Sequence, residues 1–280
     1  MNFYTNVSRY GQNLLYRGYR NGSPIQQKIK FQPTLYAQSQ NETDWKALDG
    51  VSVEPMKFDS MREAKQFMEM YTGVDGFNVY GNTKYISQFI QERWPDEVEF
   101  DPNLVNIVNI DIEVASDEGF PEPDQANHPV ISIALKSNKD DNYYVWGLGE
   151  YDTSKSIVSN VQYMHCRDEK ELLEKFLLFW SKLKPDVVTG WNVRFFDVPY
   201  IINRMHRVIG EKLTKKMSPW EMVEQKSVRY KMKEMNTYEM TGISQLDYLD
   251  LFQKFGYSYG AQASYRLDHI AYVVLGERKL

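Results

Sequence analysis

The stretch Leu104-Val105-Asn106-Ile107-Val108-Asn109-Ile110-Asp111-Ile112-Glu113-Val114 decides how this chain is read. Side chains alternate between the two faces of a β-strand. Val108, Ile110, Ile112 and Val114 therefore fall on one side, and Asn109, Asp111 and Glu113 on the other. An apolar face opposite an acidic one marks a strand that packs on a core while presenting two carboxylates side by side. Such neighbours repel unless a cation lies between them, and hard oxygen donors suit Mg²⁺ or Mn²⁺ rather than zinc. Taken alone, an Asp-x-Glu pattern more often marks a charged strand edge.

Downstream of this strand, Val130–Leu135 and Tyr143–Leu148 flank the polar loop SNKDD and predict a hairpin. Residues Asp168 to Lys184 predict a helix with Asp168 and Glu171 as its capping pair. Its apolar face carries Leu172, Leu173, Phe176, Phe179, Trp180 and Leu183. A short strand, Asp186–Thr189, leads through Gly190-Trp191-Asn192 into a second helix at about Asp197–Ile209. This β-β-β-α-β-α order predicts a mixed sheet covered by helices. Asp197 opens the second helix, where an Asp can serve as N-cap or as a third acidic ligand. Upstream, residues 1–103 read as a separate mixed α/β domain, with a strand at Phe31–Ala37 and an amphipathic helix at Ser60–Tyr71. The acidic, turn-rich DEVEFDPN run closes it. The chain is thus expected to form two domains, 1–103 and 104–280.

Composition narrows the class without naming a function. The single cysteine, Cys166, excludes an internal disulfide framework. Neither a membrane span nor a signal peptide is visible, so a cytoplasmic protein without membrane contact is expected. A net charge of -5 does not advertise a nucleic-acid binder, yet a carboxylate cluster that holds metals needs acidic residues where it works. Twenty Tyr, fourteen Phe and six Trp supply more rings than usual, and such rings both fill cores and stack on unpaired bases.

Asp111-Ile112-Glu113 and Thr189-Gly190-Trp191-Asn192-Val193-Arg194-Phe195-Phe196-Asp197 together resemble the first and second exonuclease motifs of family B DNA polymerases. Gly119-Phe120-Pro121-Glu122-Pro123, His128-Pro129, Phe196-Asp197-Val198-Pro199-Tyr200, Leu246–Leu251 and Ser264–Asp268 are similar to the replicative polymerases of large tailed bacteriophages. The resemblance implies an α/β (α+β) architecture: an N-terminal domain followed by an RNase H-like 3′→5′ exonuclease domain. It implies that Asp111, Glu113 and Asp197 are catalytic and bind two divalent metal ions, Mg²⁺ or Mn²⁺. It also implies that Phe120, Asn192 and Phe196 contact the single-stranded 3′ end of primer-template DNA. Val228–Met240, with Arg229 and Lys231 alternating with apolar residues and a turn at Glu234-Met235-Asn236, resembles the family's strand-separating β-hairpin.

The family's last exonuclease motif, Tyr-x-x-x-Asp, lies downstream of the region matched by Ser264–Leu280. Within these 280 residues the pattern occurs only at Tyr71–Asp75, upstream of the first motif. The exonuclease domain is therefore expected to be C-terminally truncated and to work with the palm, fingers and thumb of a polymerase, in cis or as a second subunit. A stand-alone nuclease would need a substitute carboxylate, for which Asp247 and Asp250 are candidates. A non-catalytic nucleic-acid-binding subunit of a split polymerase is the third reading.

Overall fold

A computed structural model describes residues 2–116, 119–230 and 232–278. They form two compact units, Met1–Leu104 and Val105–Leu280. In the first, β1 (Asn2–Tyr10), β2 (Asn13–Arg20) and β3 (Ser23–Lys30) make an antiparallel meander. Asn21 and Gly22 turn β2 into β3 with φ of 51° and 78°, the left-handed pair that matches strand twist in a two-residue hairpin. A second sheet places β4 (Thr34–Gln38) between β5 (Val53–Lys57) and β6 (Val79–Tyr80). The strand expected from Phe31 starts only at Thr34, because Pro33 has no N–H to give a ladder; Phe31 is buried in the core instead. Helix α1 (Met61–Tyr71) is capped by Ser60, whose hydroxyl accepts from Glu63 N at 3.2 Å, and α2 (Tyr85–Arg93) follows. Tyr16, Leu35, Met61, Tyr85 and Phe89 fill the core between them.

The second unit is built on a six-stranded mixed sheet. Its strands are β7 (Ile107–Val114), β8 (Val130–Ser137), β9 (Tyr143–Gly147), β10 (Val161–His165), β11 (Val187–Gly190) and β14 (Ser244–Asp247). The spatial order is β10-β9-β8-β7-β11-β14. Strand β8 runs antiparallel to both β7 and β9, whereas β10 joins β9, β11 joins β7 and β14 joins β11 in parallel. Helix α3 (Glu169–Leu183) buries Leu172, Leu173, Phe176, Leu177 and Trp180, and α4 (Asp197–Val208) buries Val198, Tyr200, Ile201, Ile202 and Met205. These side chains share one core with Val108, Ile110 and Ile112 of β7. Each large apolar side chain so buried contributes about 1.5–3 kcal/mol. The opposite face of β7, with Asn109, Asp111 and Glu113, is exposed.

After α4 come the short α5 (Glu211–Thr214), a hairpin of β12 (Val223–Tyr230) and β13 (Lys233–Met240), then β14, α6 (Tyr248–Phe255) and α7 (Leu267–Leu275). The hairpin is longer than expected and turns elsewhere. Tyr230 pairs with Lys233, and Met232 takes the left-handed φ of 66° that a two-residue turn needs. Glu234, Met235 and Asn236 are ladder residues opposite Arg229, Val228 and Ser227. Among the described residues no helix is long and apolar enough to cross a membrane.

Candidate active site

The parallel pairing of β11 with β7 reaches only Asn109. At that point Gly190 sits against the strand so closely that a Cβ would lie 2.7 Å from Ile110 O. A side chain there would force β11 away, and the chain uses the glycine to turn out of the sheet. Asn192 then adopts φ 64°, a left-handed conformation that Asn tolerates better than bulkier residues, and the backbone folds back into α4.

That turn delivers Asp197 to the backbone edge of β7 left open beyond Asn109. Asp197 is only 4% exposed, and its Oδ1 accepts the Ile112 N–H at 3.1 Å. It is the first residue of α4, with Phe196 at the cap position and no side-chain cap bond. The carboxylate thus serves the strand rather than capping its own helix. Ile112 lies between Asp111 and Glu113 in sequence, so the bond ties a buried carboxylate to the edge of the strand whose outer face carries two exposed ones. Desolvation, and after it the charge of Asp111, raises the Asp197 pKa to about 7, against the lowering effect of the Ile112 N–H. Beside Glu113, Ile131 of β8 is left without a partner in the register between Ser132 and Val130, a bulge that bends the sheet at this end. Among the described residues, no three His, Cys, Asp or Glu side chains are gathered closely enough, as they stand, to hold a metal ion.

A raised carboxyl pKa has a definite sign for stability. Protonated Asp197 tolerates burial, so its favourable contribution is complete below the unfolded value of roughly 4. It is lost as pH climbs to about 7. Without divalent metal, the melting temperature of the chain should fall across this window. Asp197→Asn, which keeps the acceptor oxygen and cannot ionise, should flatten the fall. Thermal melts in chelator at pH 4.5 to 8 check this, and parallel pH profiles for the two proteins would contradict it.

Asp247 organises the turn from the other side. It is 4% exposed; Oδ1 accepts from Asn192 N at 3.0 Å and Leu249 N at 2.9 Å, and Oδ2 accepts from Arg194 N at 2.9 Å. An anion that accepts several backbone N–H groups is strongly held, and its oxygens are engaged. Asp250 stands 3.7 Å from the Arg194 guanidinium. Neither resembles a free ligand waiting for a metal.

The aromatic residues divide. Phe120 is 72% exposed, and its ring lies 5.5 Å from that of half-buried Phe196, which in turn meets Tyr200 at 5.8 Å. Phe195 is buried against Tyr230 of the hairpin at 4.8 Å, and Thr237 Oγ1 donates to Arg194 O at 2.9 Å, so the hairpin is fastened to the same turn near its tip and at its middle. Arg229 is exposed on β12, and Lys231 lies outside the described residues. The fold thus ties Asp197 to the backbone of Ile112, the residue between Asp111 and Glu113 in sequence, and sets Phe120 against Phe196.

Residues 84–270 match the model of DNA polymerase family B, exonuclease domain. The chain belongs to DNA polymerase family B. This family B chain is 31% identical to the DNA-directed DNA polymerase of Escherichia phage RB69, over 99% of its own length and 33% of the relative's. It is 29% identical to the DNA-directed DNA polymerase of Enterobacteria phage T4, over 91% of its length and 31% of the relative's. It is also 30% identical to the DNA polymerase delta catalytic subunit of Dictyostelium discoideum, over 64% of its length and 16% of the relative's. The chain therefore spans about a third of the length of the phage relatives. The mixed sheet with α3 and α4 packed on its core is the RNase H-like fold of the family's exonuclease domain.

Proposed function

We propose that this chain is the proofreading portion of a DNA-directed DNA polymerase, in which Asp111, Glu113 and Asp197 serve the 3′→5′ hydrolysis of mismatched primer ends. The observation that carries this reading is the carboxylate of Asp197, buried at the edge of the strand that bears Asp111 and Glu113 and held at a raised pKa. A buried acid with an anionic neighbour is a ligand whose charge is completed by a cation. The donors are all oxygen, which suits Mg²⁺ or Mn²⁺. Two such ions bound there would activate water and stabilise the departing 3′ oxygen.

The chain's own residues account for the grip on DNA. Phe120 and Phe196 offer ring faces on which a frayed base stacks whatever its identity, as a proofreader requires. Asn192, at the strained turn, and the hairpin with Arg229 and Lys231 extend the DNA contact surface. The proposed partners are the single-stranded 3′ end of primer-template DNA and the remaining polymerase polypeptide, in the cytoplasm of the host cell. Residues 1–103 act as the polymerase's N-terminal domain, ahead of the exonuclease domain at 104–280.

The test is calorimetric. Mn²⁺ should bind residues 1–280 weakly, with a proton released per ion near pH 7 as Asp197 ionises, and Asp197→Asn should remove both the heat and the proton. Tight zinc binding with no response to manganese would overturn the assignment. Phe120→Ala should weaken binding of single-stranded DNA by about 1–3 kcal/mol without a loss of thermal stability.

A further inference from the structure

Helix α4 does more than present Asp197. Three of its side chains, from Tyr200, Asn203 and Arg204, collect the backbone of the segment 123–130, which follows Phe120. Asn203 Nδ2 donates to Pro123 O at 2.9 Å. Arg204 Nη1 donates to Ala126 O at 3.2 Å and to Asn127 O at 3.1 Å. Tyr200 OH donates to His128 O at 2.8 Å and accepts from His128 N at 3.2 Å. Before β8 the segment makes only one turn of its own, in which Gln125 N and Ala126 N donate to Glu122 O at 3.2 and 2.8 Å, and Ala126 lies fully buried at φ 41°. The carbonyls beyond that turn are fixed by the side chains of α4.

Arg204 is the centre of the set. Its Nε and Nη2 meet Glu169 Oε1 and Oε2, each at 2.7 Å, with side chains only 15% and 12% exposed. Glu169 Oε1 also accepts from Val130 N at 2.7 Å. One guanidinium thus links the first residue of α3, the middle of α4 and two carbonyls of the loop. Its planar fork is what makes this possible, and a lysine in its place keeps the charge but not the fork.

We infer that Arg204 is a positioning residue for the 3′-end site: it holds the loop so that Phe120 stays against Phe196. This rests on the proposed role of Phe120 in gripping DNA, whereas the loop anchoring stands on geometry alone. Neither Arg204 nor Asn203 reaches the carboxylates, so their influence on DNA runs through the ring they steady. Substrate grip and acidic site then move as one body, since the helix that anchors the loop begins with Asp197.

The experiment has one arm without DNA and one with it. In the first, a nitroxide on Phe120→Cys reports loop motion; the only other thiol, Cys166, is buried and stays unlabelled. Arg204→Lys should sharpen the spectrum as the label gains freedom on the nanosecond scale. In the second arm, a fluorescent oligothymidylate is titrated with Ca²⁺ into four proteins: wild type, Arg204→Lys, Phe120→Ala and the double variant. Arg204→Lys should weaken binding about 3- to 10-fold alone and less than about 2-fold when Phe120 is already gone, the signature of coupled residues. An unchanged label spectrum overturns the inference, and so does an equal loss of affinity in both backgrounds. A mobilised label with no oligonucleotide binding by any of the four proteins upholds the positioning role and sinks the proofreading proposal. Should Arg204→Lys fail to fold, Asn203→Ala, which frees Pro123 O and also removes the acceptor of the Tyr238 hydroxyl, is judged by the same criteria.

Discussion

Digestion of 3′-labelled single-stranded DNA by residues 1–280 alone should be slow or undetectable, and adding the polypeptide that follows in the phage relatives should restore it. Within the chain, Asp197 is buried and Asp111 and Glu113 are exposed, but no three ligands are gathered into a ready cluster among the described residues. A Tyr-x-x-x-Asp pair downstream would supply another carboxylate and a hydroxyl for the water. Misplacement of a reacting group by about 1 Å can cost about 10²-fold, and that is the expected gap between the lone and the complemented chain. Asp111→Ala should then lower the restored rate by about 10²–10³-fold, the scale seen when one electrostatic component of a site is removed. Rates are read with Mg²⁺, with and without the partner. Robust, Asp111-dependent digestion by residues 1–280 alone would mean that the site is complete without help.

The largest loss of stability should come from Asp247→Ala. Three backbone N–H groups, of Asn192, Arg194 and Leu249, would lose their acceptor in partly buried surroundings. Each stranded donor costs about 1–3 kcal/mol, and groups sharing one acceptor are not additive, so a total of about 3–5 kcal/mol is expected. For a unit of this size that lowers the melting temperature by about 6–20 °C. Asp250→Asn is the control. Its carboxylate faces Arg194 at 3.7 Å and is 30% exposed, so its removal should cost no more than about 1 kcal/mol. Equal melting shifts for the two variants would show that Asp247 does not hold the turn.

Asp247 also marks where reading the sequence stops. The β7 stretch is legible because a period of two separates Ile110 and Ile112 from Asp111 and Glu113, and burial follows that alternation. Helix α1 is legible by its apolar stripe and α3 by a stripe behind a capping residue, Asp168; Ser60 caps α1 in the same way, each accepting from the N–H three residues on. Strands β10 and β14 escape notice, being short edge elements with no run of alternating residues. The β1–β3 meander escapes too, although Asn21-Gly22 is a strong local hairpin signal. The acidic trio is suggested by motif resemblance, but the bond from Ile112 to Asp197 spans 85 residues and leaves no local trace. The anchoring of the Phe120 loop by Arg204, 78 residues from Ala126, is equally silent in the sequence.

The late position of β14 has a consequence for synthesis. Strand β11 has β7 on one side and β14 on the other, and β14 begins at Ser244, 54 residues after Gly190 (244 − 190). At roughly 5–20 residues per second, a growing chain exposes the open edge of β11 for about 3–11 s before its neighbour is made. Throughout that interval the turn after Gly190 also waits for the Asp247 clamp. A ribosome paused between these two strands would hold a nascent chain with an unpaired sheet edge, the template on which foreign strands add. The intervening hairpin, β12–β13, emerges meanwhile and ties itself to Arg194 through Thr237. It is the first long-range fastening that this turn receives from the polypeptide following α4.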